Sequence, residues 1–316
     1  MMHITSRRLL QTLLLLAAVL TVLAVVVLAP EAATRQAPKS FSTPEDAGKQ
    51  LIAALKDNDS RELSAIFGPG SQDLVSSGDP VADRLNREQF VKLYEEKNGI
   101  QEVRPGSTVL LVGPEEYPFP IPIVGREGAW HFDAKAGREE LLNRRIGRNE
   151  LEAIDVLYAY LDAQREYAHE DRGGQGILQF AQKIRSTPGK KDGLYWEVQQ
   201  GEPESPLGPL AARAAREGYL KGKGEVPAPF HGYFFRILKA QGKHATGGDF
   251  DYVVNGKMVL GFAMLAYPAQ YGSSGVMTFM VNQDGVVYQK NLGKETGKSA
   301  QAIKRFDPDP SWKKVE

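Results

Sequence analysis

The sequence predicts an α+β fold, in which a small N-terminal α+β domain precedes a long helix packed on an antiparallel β-meander. Three observations predict this class. A helical pattern extends from Arg138 to Glu170, and five aromatic and β-branched runs follow residue 231. The runs are joined by links of turn length, such as Asn255-Gly256, which favour antiparallel pairing. A meander needs a cover for its apolar face, and the helix is the nearest candidate.

The N-terminal segment has the layout of an export signal. Arg7 and Arg8 precede an uncharged apolar run from Leu9 to Ala29. A cleaved signal peptide has ~7–15 apolar residues and a membrane span ~20, so residues 1–33 are predicted to be a signal peptide or a signal anchor. Because the arginines lie on the short N-terminal side, either outcome places the rest of the chain in the periplasm. In the second case residues 9–29 anchor it to the inner membrane.

Composition narrows the classes of function. The 316 residues contain 39 basic and 39 acidic side chains, so the chain has no net positive charge. Binding to nucleic acid is therefore not predicted. The sequence has no cysteine, which excludes disulfides, a thiol nucleophile and zinc–thiolate sites. An exported chain without disulfides must be stabilised by its apolar core, and this length permits one of sufficient size.

Residues 34–41 are predicted to be a polar linker, and residues 42–137 to form the N-terminal α+β domain. Ser42 is the predicted N-cap of the first helix, and a further helix is predicted near Arg87–Glu96. Three short strands are predicted from STVLLVG, YPFPIPIVG and GAWHFD. Prolines break the second run and predict that it lies at an edge of its sheet.

Residues 138–316 are predicted to form the C-terminal domain. Its helix, residues 148–170, has apolar side chains spaced for one helix face, namely Leu151, Ile154, Tyr158 and Leu161. This stripe is predicted to cover the sheet. The strands of the meander are predicted from GYFFRILKA, DFDYVV, KMVLGFAMLA, GVMTFMV and VVYQK.

The helix also contains candidate acidic residues. Glu166 and His169 have the spacing of two ligands in a di-metal bundle, but the sequence has no second Glu-x-x-His. We therefore predict no metal and no other cofactor. Asp162 and Glu166 share one side of the helix and would suit an acid–base pair, although such pairs usually come from different elements that flank a cleft. The charges are predicted to face water, which makes the helix a scaffold.

Aromatic residues are a second group of candidates. Tyr195, Trp196 and Tyr233 belong to an aromatic group that would either line a ligand groove or fill a core. The alternation in GYFFRI favours the core.

Basic residues are a third group. Arg144, Arg145 and Arg148 form the densest basic cluster after the export segment. They would hold an anion or an acidic partner, or else pair with neighbouring acids on the same helix. We favour pairing, with Glu139, Glu140 and Glu150.

No nucleotide-binding loop is predicted. The stretch LGKETGKS at residues 292–299 comes close to one, but Leu292 stands where the first glycine is required. The stretch also follows an antiparallel strand in an exported protein, where nucleotide is scarce.

Long stretches of the sequence resemble one bacterial family. They include RRIGRNELEAIDVLYAYLDAQREYA, STPGKKDGLYW, SPLGPL, GYFFRILKAQG and FDPDPSWKKV. Together they resemble the family filed as domain of unknown function 2950, over nearly all of the chain after the export segment. The resemblance implies an exported protein of Gram-negative-type bacteria. It implies no catalytic residues, because the function of that family is undetermined.

A second resemblance covers about residues 148–290. The stretches NELEAIDVLYAYLDAQREYA, GYFFRI and GFAMLAYPAQYGSSGVMTFMVNQDGVVY are similar to the globular halves of type IV pilin-like proteins. That similarity implies a pilin-like arrangement of a long helix against an antiparallel sheet. The pilin processing signal is absent, and a whole domain separates the apolar segment from the helix, so the similarity extends to the fold of this half only.

The function predicted from these observations is that of a non-catalytic envelope protein. It would act in assembly or as an interaction module at the periplasmic face, with an envelope protein as its partner and with the membrane if residues 9–29 are retained. The alternative is an extracytoplasmic hydrolase or glycan-binding protein that uses carboxylates and aromatics around Asp162, Glu166, Trp196 and Tyr233. If the chain is a hydrolase, we expect two carboxylates about 5–10 Å apart across an open cleft.

Overall fold

The computed structural model describes residues 37–126, 128–219 and 228–315. Within these ranges lie seven helices and several antiparallel sheets, which confirms the predicted α+β class. The predicted export segment, residues 1–33, lies outside them. None of the helices in the described ranges has both the length and the apolar composition that a membrane crossing requires.

The described chain begins with a short extended segment and a group of helices. These helices are α1 (Pro44–Lys56), α2 (Ser60–Phe67), α3 (Gln72–Val75) and α4 (Pro80–Glu96). The N-cap of α1 is Thr43, one residue after the predicted Ser42, and its side chain accepts a hydrogen bond from Asp46 N. Phe41, at the end of the predicted linker, is buried and pairs with the backbone of Trp130.

Antiparallel strands follow the helices. They are β1 (Asn98–Arg104), β2 (Ser107–Val112), β3 (Tyr117–Pro118), β4 (Ile123–Arg126) and β5 (Ala129–Phe132), in the order β1-β2-β4-β5 with β3 also on β2. The prolines split the predicted second strand into β3 and β4. Because β4 pairs with both β2 and β5, the prediction that this run forms an edge was wrong for β4. Helices and sheet enclose an N-terminal core that includes Phe41, Leu51, Leu63, Ile66, Phe119 and Phe132.

The long helix, α5, runs from Ala134 to Tyr167 and contributes to two cores. Its first turns place Leu141 and Leu142 against the N-terminal core. Its second half belongs to a separate C-terminal core, whose members include Leu157, Tyr160, Tyr233, Phe262, Leu265 and Phe279. We call the parts of the chain around these cores the N-terminal and C-terminal lobes. The predicted division at residues 137 and 138 falls within α5.

The face of α5 that meets the sheet differs from the predicted stripe. Leu151 is 66% exposed and Tyr158 is 45% exposed, whereas Leu161 is buried. The buried face consists of Ala153, Val156, Leu157, Tyr160, Leu161, Gln164 and Tyr167. The predicted stripe was therefore wrong for Leu151 and Tyr158, whereas Leu161 belongs to the C-terminal core and Ile154 packs against it. Apolar side chains lie on several sides of α5, and contact with the sheet decides which of them are covered.

The C-terminal sheet is an antiparallel meander with an insertion. Its strands lie in the order β14-β13-β12-β11-β6. They are β6 (Tyr233–Leu238), β11 (Ala263–Pro268), β12 (Met277–Asn282), β13 (Tyr288–Asn291) and β14 (Lys313–Lys314). Helix α6 (Gly208–Glu217) precedes the sheet and α7 (Thr296–Ala302) follows β13. Helix α5 packs on β11 and β12, as the fold class predicted.

The insertion between β6 and β11 contains two short antiparallel pairs. β7 (Ala240–Gln241) pairs with β8 (Phe250–Asp251), and β9 (Val253–Val254) pairs with β10 (Lys257–Met258). The predicted strand DFDYVV is thus divided between these pairs and does not join the main sheet. The predicted Asn255-Gly256 turn is confirmed, and both residues have positive φ, 49° and 79°.

Candidate functional site

A groove of about 390 Å³ opens into the N-terminal lobe. Its floor is formed by buried apolar side chains of α1, α2, α3 and β2, namely Leu51, Leu63, Phe67, Leu74, Val75 and Val112. One wall is α4, where the partly buried Phe90 and Leu93 lie three residues apart on one helix face. The opposite wall is the segment from Tyr117 to Pro120.

The second wall is a short strand that carries aromatic side chains. Strand β3 pairs with β2, and Phe119 N extends the pairing by donating to Leu110 O at 2.7 Å. Tyr117 at the rim is 58% exposed, while Phe119 turns inward and is buried. Aromatic and aliphatic surface is therefore available to a ligand on two sides of the groove.

One end of the groove is basic. The lining includes four arginines, Arg87 from α4 and Arg144, Arg145 and Arg148 from α5, against one carboxylate, Asp83. The Asp83 carboxylate accepts hydrogen bonds from its own neighbourhood, from Ser77 N and Ser76 Oγ. A ligand at this end of the groove therefore meets an excess of positive charge.

Arg87 and Arg145 are fixed by the backbone of α3. Arg145 donates to Asp73 O at 2.6 Å and to Leu74 O at 2.8 Å, and it also reaches Ser273 Oγ at 3.2 Å. Arg87 donates to Val75 O at 2.6 Å. Two of the four guanidinium groups are thus held in place at the end of the groove before any ligand binds.

The other two arginines differ in their partners. Arg144 is paired with Glu140 at 2.6 Å, which is one of the predicted pairs. No hydrogen bond or ion pair joins Arg148 to any other residue within the described ranges. Glu150, another predicted partner of the cluster, instead accepts hydrogen bonds from Val276 N and Met277 N.

Burial lowers the pKa of two arginines at the basic end of the groove. Desolvation lowers the pKa of Arg145, the carboxylates of Asp83 and Asp73 partly offset this effect, and the positive charges of Arg148 and Arg87 add to it. Desolvation also lowers the pKa of Arg148, although this side chain remains open to solvent at the groove mouth, and the charge of Glu152 partly offsets the effect.

The predicted acidic candidates lie elsewhere. The side chain of Asp162 is 80% exposed and pairs with Arg165 at 3.3 Å, within its own helix. Glu166 is also exposed. Neither residue lines the groove. In the described part of the chain, no three histidine or carboxylate side chains lie close enough to hold a metal ion.

The predicted aromatic candidates lie in or against the C-terminal core. Tyr233 is fully buried, and its hydroxyl donates to Met277 O at 2.9 Å. Tyr195 and Trp196 pack on the edge of the same core. The Arg172 guanidinium lies 5.0 Å from the centre of the Trp196 ring, a cation–π contact. The structure therefore brings these three aromatics to one core and does not bring them to the groove.

A second polar cluster joins the two lobes, and we call it the interlobe cluster. Asp79 Oδ2 accepts hydrogen bonds from the Tyr219 hydroxyl at 2.9 Å and from Gly232 N at 2.8 Å. Arg213 pairs with Glu217 and Glu152, and His231 Nε2 lies 2.9 Å from Glu217 Oε2 without hydrogen-bond geometry. The sequence analysis did not identify this cluster, because its members come from four separate segments.

The loop YGSSGV, between β11 and β12, forms part of the same lobe contact. Ser273 and Ser274 are buried. Asn149 Nδ2 of α5 donates to Ser274 O at 2.9 Å, and Ser273 Oγ reaches Asp73 O at 3.4 Å. The two serines are therefore used to join the lobes.

The sequence analysis also missed Arg87, Phe90 and Tyr117 as groove residues. The available signal was the run YPFPIP, whose prolines predicted an interrupted strand next to aromatic side chains. That run shows where backbone pairing stops, but it contains no information about the helices that face it.

Comparison with family models identifies one match. The model described as Protein of unknown function (DUF2950) matches residues 38–315, which include the groove, α5 and the C-terminal sheet. The resemblance predicted from the sequence motifs is confirmed. Comparisons with curated proteins and with solved structures find no match to the chain.

Proposed function

We propose that this chain, which belongs to the DUF2950 family of proteins of unknown function, is a non-catalytic binding module of the bacterial envelope. Its binding surface is the groove of the N-terminal lobe. The observation that carries the proposal is the combination of an apolar floor with a basic end in which Arg148 has no partner among the described residues. The C-terminal lobe supports the groove through α5, which places three of the four arginines.

The dimensions of the groove support binding. Ligand sites in proteins are clefts of about 300–1,000 Å³ with mainly apolar linings and a few placed polar groups. The groove has about 390 Å³ and polar groups concentrated at one end. Burial of ligand surface on the floor supplies free energy, and the arginines orient the ligand.

The number of carboxylates in the groove lining favours a binding function over a hydrolytic one. A glycoside hydrolase of the common type requires two carboxylates that flank its cleft. The groove lining contains one, Asp83, which already accepts bonds from Ser76 and Ser77. Asp162 and Glu166 point to solvent from one face of α5.

The proposed location rests on the sequence of residues 1–33. A charged start followed by a long apolar run directs the rest of the chain to the periplasm, either free or anchored by residues 9–29. Fractionation of cells, with N-terminal sequencing of the purified protein, tests this. Recovery of the protein in the cytoplasm with an intact N-terminus would contradict export. The pilin-like similarity of the C-terminal lobe stays a prediction about fold, and no filament role is proposed from it.

Affinity purification of the tagged protein tests the binding function. Asn86 is an exposed residue of α4 at the groove, so Asn86→Trp narrows the groove without changing a core position. Lys92→Trp, at another exposed position of α4 outside the lining, is the matched control. We expect mass spectrometry to identify molecules that accompany the wild type and Lys92→Trp and are lost from Asn86→Trp. The same set of molecules with all three proteins would refute the groove as the binding surface.

A further inference from the structure

We infer that the ligand of the groove is a single-chain anionic amphiphile, with its hydrocarbon tail on the apolar floor and its carboxylate or phosphate head at Arg148. This inference rests on the proposed binding function and names the chemistry of the ligand.

The floor of the groove favours a hydrocarbon tail over a polypeptide. A peptide would bury backbone N–H and C=O groups, each of which needs a hydrogen-bond partner. On the α3 side of the groove, the carbonyls of Asp73, Leu74 and Val75 are already bonded to Arg145 and Arg87. A hydrocarbon chain has no polar groups to satisfy, so the apolar floor accepts it without this penalty.

The uncharged polar side chains of the lining lie at its exposed rim. Asn86 and Gln89 are exposed on α4, and Tyr117 is exposed on the opposite wall. Leu55, Phe90 and Leu93 are only partly buried although they are apolar. Covering this surface with a tail removes it from water, which is the main favourable term in such binding.

Arg148 is the arginine best placed to bind the head. Arg144 is paired with Glu140, and Arg145 and Arg87 are bonded to carbonyl groups. Glu152, one helical turn after Arg148, is paired with Arg213, and its charge offsets the desolvation of Arg148 only in part. A partly desolvated guanidinium without a counter-ion gains most from an anion, and its planar donors fit a carboxylate or phosphate.

Calorimetric titration of the purified protein tests the inference with defined probes. These are dodecanoate, dodecyl phosphate and dodecanol, each below its micellar concentration, and acetate and inorganic phosphate as heads without tails. We expect both anionic amphiphiles to bind, dodecanol to bind about tenfold more weakly, and the two short anions to show no binding. In a series from octanoate to dodecanoate, affinity should rise roughly fourfold per methylene until the groove is filled.

Variants of the arginines locate the head. Arg148→Ala should weaken dodecanoate binding about tenfold and leave dodecanol binding unchanged, whereas Arg148→Lys should retain part of the affinity. Arg165→Ala removes an exposed arginine of α5 that lies outside the groove lining and is paired with Asp162 on the same helix, and it should change affinity less than about twofold. Asn86→Trp should weaken binding of both dodecanoate and dodecanol. Because all variants retain the N-terminal segment of the purified protein, their differences report on the groove alone.

The outcomes separate the inference from the proposed function. Equal affinity for dodecanol and dodecanoate, or no effect of Arg148→Ala, would overturn the placement of the head. Binding of inorganic phosphate as tightly as dodecyl phosphate would show that the site takes a free anion. If no amphiphile binds while Asn86→Trp still removes the molecules that accompany the wild type, the ligand class is wrong and the binding function stands. If Asn86→Trp changes neither the binding of amphiphiles nor the set of molecules that accompany the protein, both the ligand class and the binding function of the groove are wrong.

Discussion

The carboxylate of Asp79 accepts a hydrogen bond from the hydroxyl of Tyr219 at 2.9 Å. The same carboxylate caps α4 by accepting from Val81 N and Ala82 N, and it also accepts from Gly232 N. One buried side chain thus joins the start of the groove wall to two segments of the C-terminal lobe. The position of α4, and with it the groove, depends on this contact between lobes.

Replacement of Tyr219 tests the importance of this contact. Tyr219→Phe removes the bond to Asp79 and the bond that the hydroxyl accepts from His231 N. We expect the free energy of unfolding to fall by about 1–3 kcal/mol, because the acceptor is a buried carboxylate. Tyr158→Phe, at an exposed tyrosine of α5, should change it by less than about 0.5 kcal/mol. Denaturant titration followed by circular dichroism measures both, and equal effects would show that the Tyr219 bond contributes nothing.

Alkaline pH should destabilise the protein through its buried tyrosines. Burial raises the pKa of Tyr160, Tyr219, Tyr233 and Tyr252 above the ordinary value. Above about pH 10 the unfolded chain releases these protons while the native state keeps them, so stability is complete below pH 10 and falls as the pH rises. Ultraviolet absorbance should show that these four tyrosines ionise only when the protein unfolds. Ionisation of all tyrosines in a single step before unfolding would contradict this.

The close packing of α5 on the N-terminal lobe depends on Gly137. A Cβ at this position would lie 2.3 Å from Pro120 O and 2.5 Å from Ile121 Cα. Gly137→Ala must therefore displace backbone, and we expect it to lower stability by about 1–3 kcal/mol. A Cβ at Gly147, on the same helix, meets nothing within 4 Å. Gly147→Ala should instead raise stability by about 0.5–1 kcal/mol through helix propensity, and thermal unfolding of both variants checks the opposite signs.

The carboxylate of Glu150 connects α5 to the start of β12. Its Oε1 accepts hydrogen bonds from Val276 N and Met277 N, both at 2.9 Å. Glu150→Ala leaves these donors without their acceptor and should cost about 1–3 kcal/mol, and Glu150→Gln, which keeps an acceptor, should cost less. Glu139→Ala removes an exposed acid of the same helix and serves as the control. If the control lowers the melting temperature as much as Glu150→Ala, loss of charge on α5 is the cause and the two bonds are not.

Several local elements were predictable because short stretches of sequence determine them. The Asn255-Gly256 turn forms as predicted because both residues adopt positive φ at little cost. The alternating and β-branched runs of β6, β11, β12 and β13 formed the predicted antiparallel sheet. The break between β3 and β4 also follows from the sequence, since Pro120 and Pro122 lie within it.

Features that depend on distant contacts were not predictable. The sequence of α5 contains apolar residues on several sides, so its periodicity did not reveal that Leu157 and Tyr160 would be buried and Leu151 exposed. The groove is built from α1, α2, α4, α5 and the segment after β2. No local pattern states that these elements converge.

The arginine cluster contains features that the sequence determines and features that only the tertiary structure decides. The sequence by itself placed Arg144, Arg145 and Arg148 within two turns of one helix, because helix formation depends on neighbouring residues. The pair of Arg144 with Glu140, four residues away on the same helix, was also predicted. Only the tertiary structure decided the roles of the other two: Arg145 is bonded to the carbonyls of Asp73 and Leu74, and Arg148 faces the groove. Charges and hydrogen-bond donors act over a few ångströms of space, and folding sets those distances between residues that are far apart in the chain.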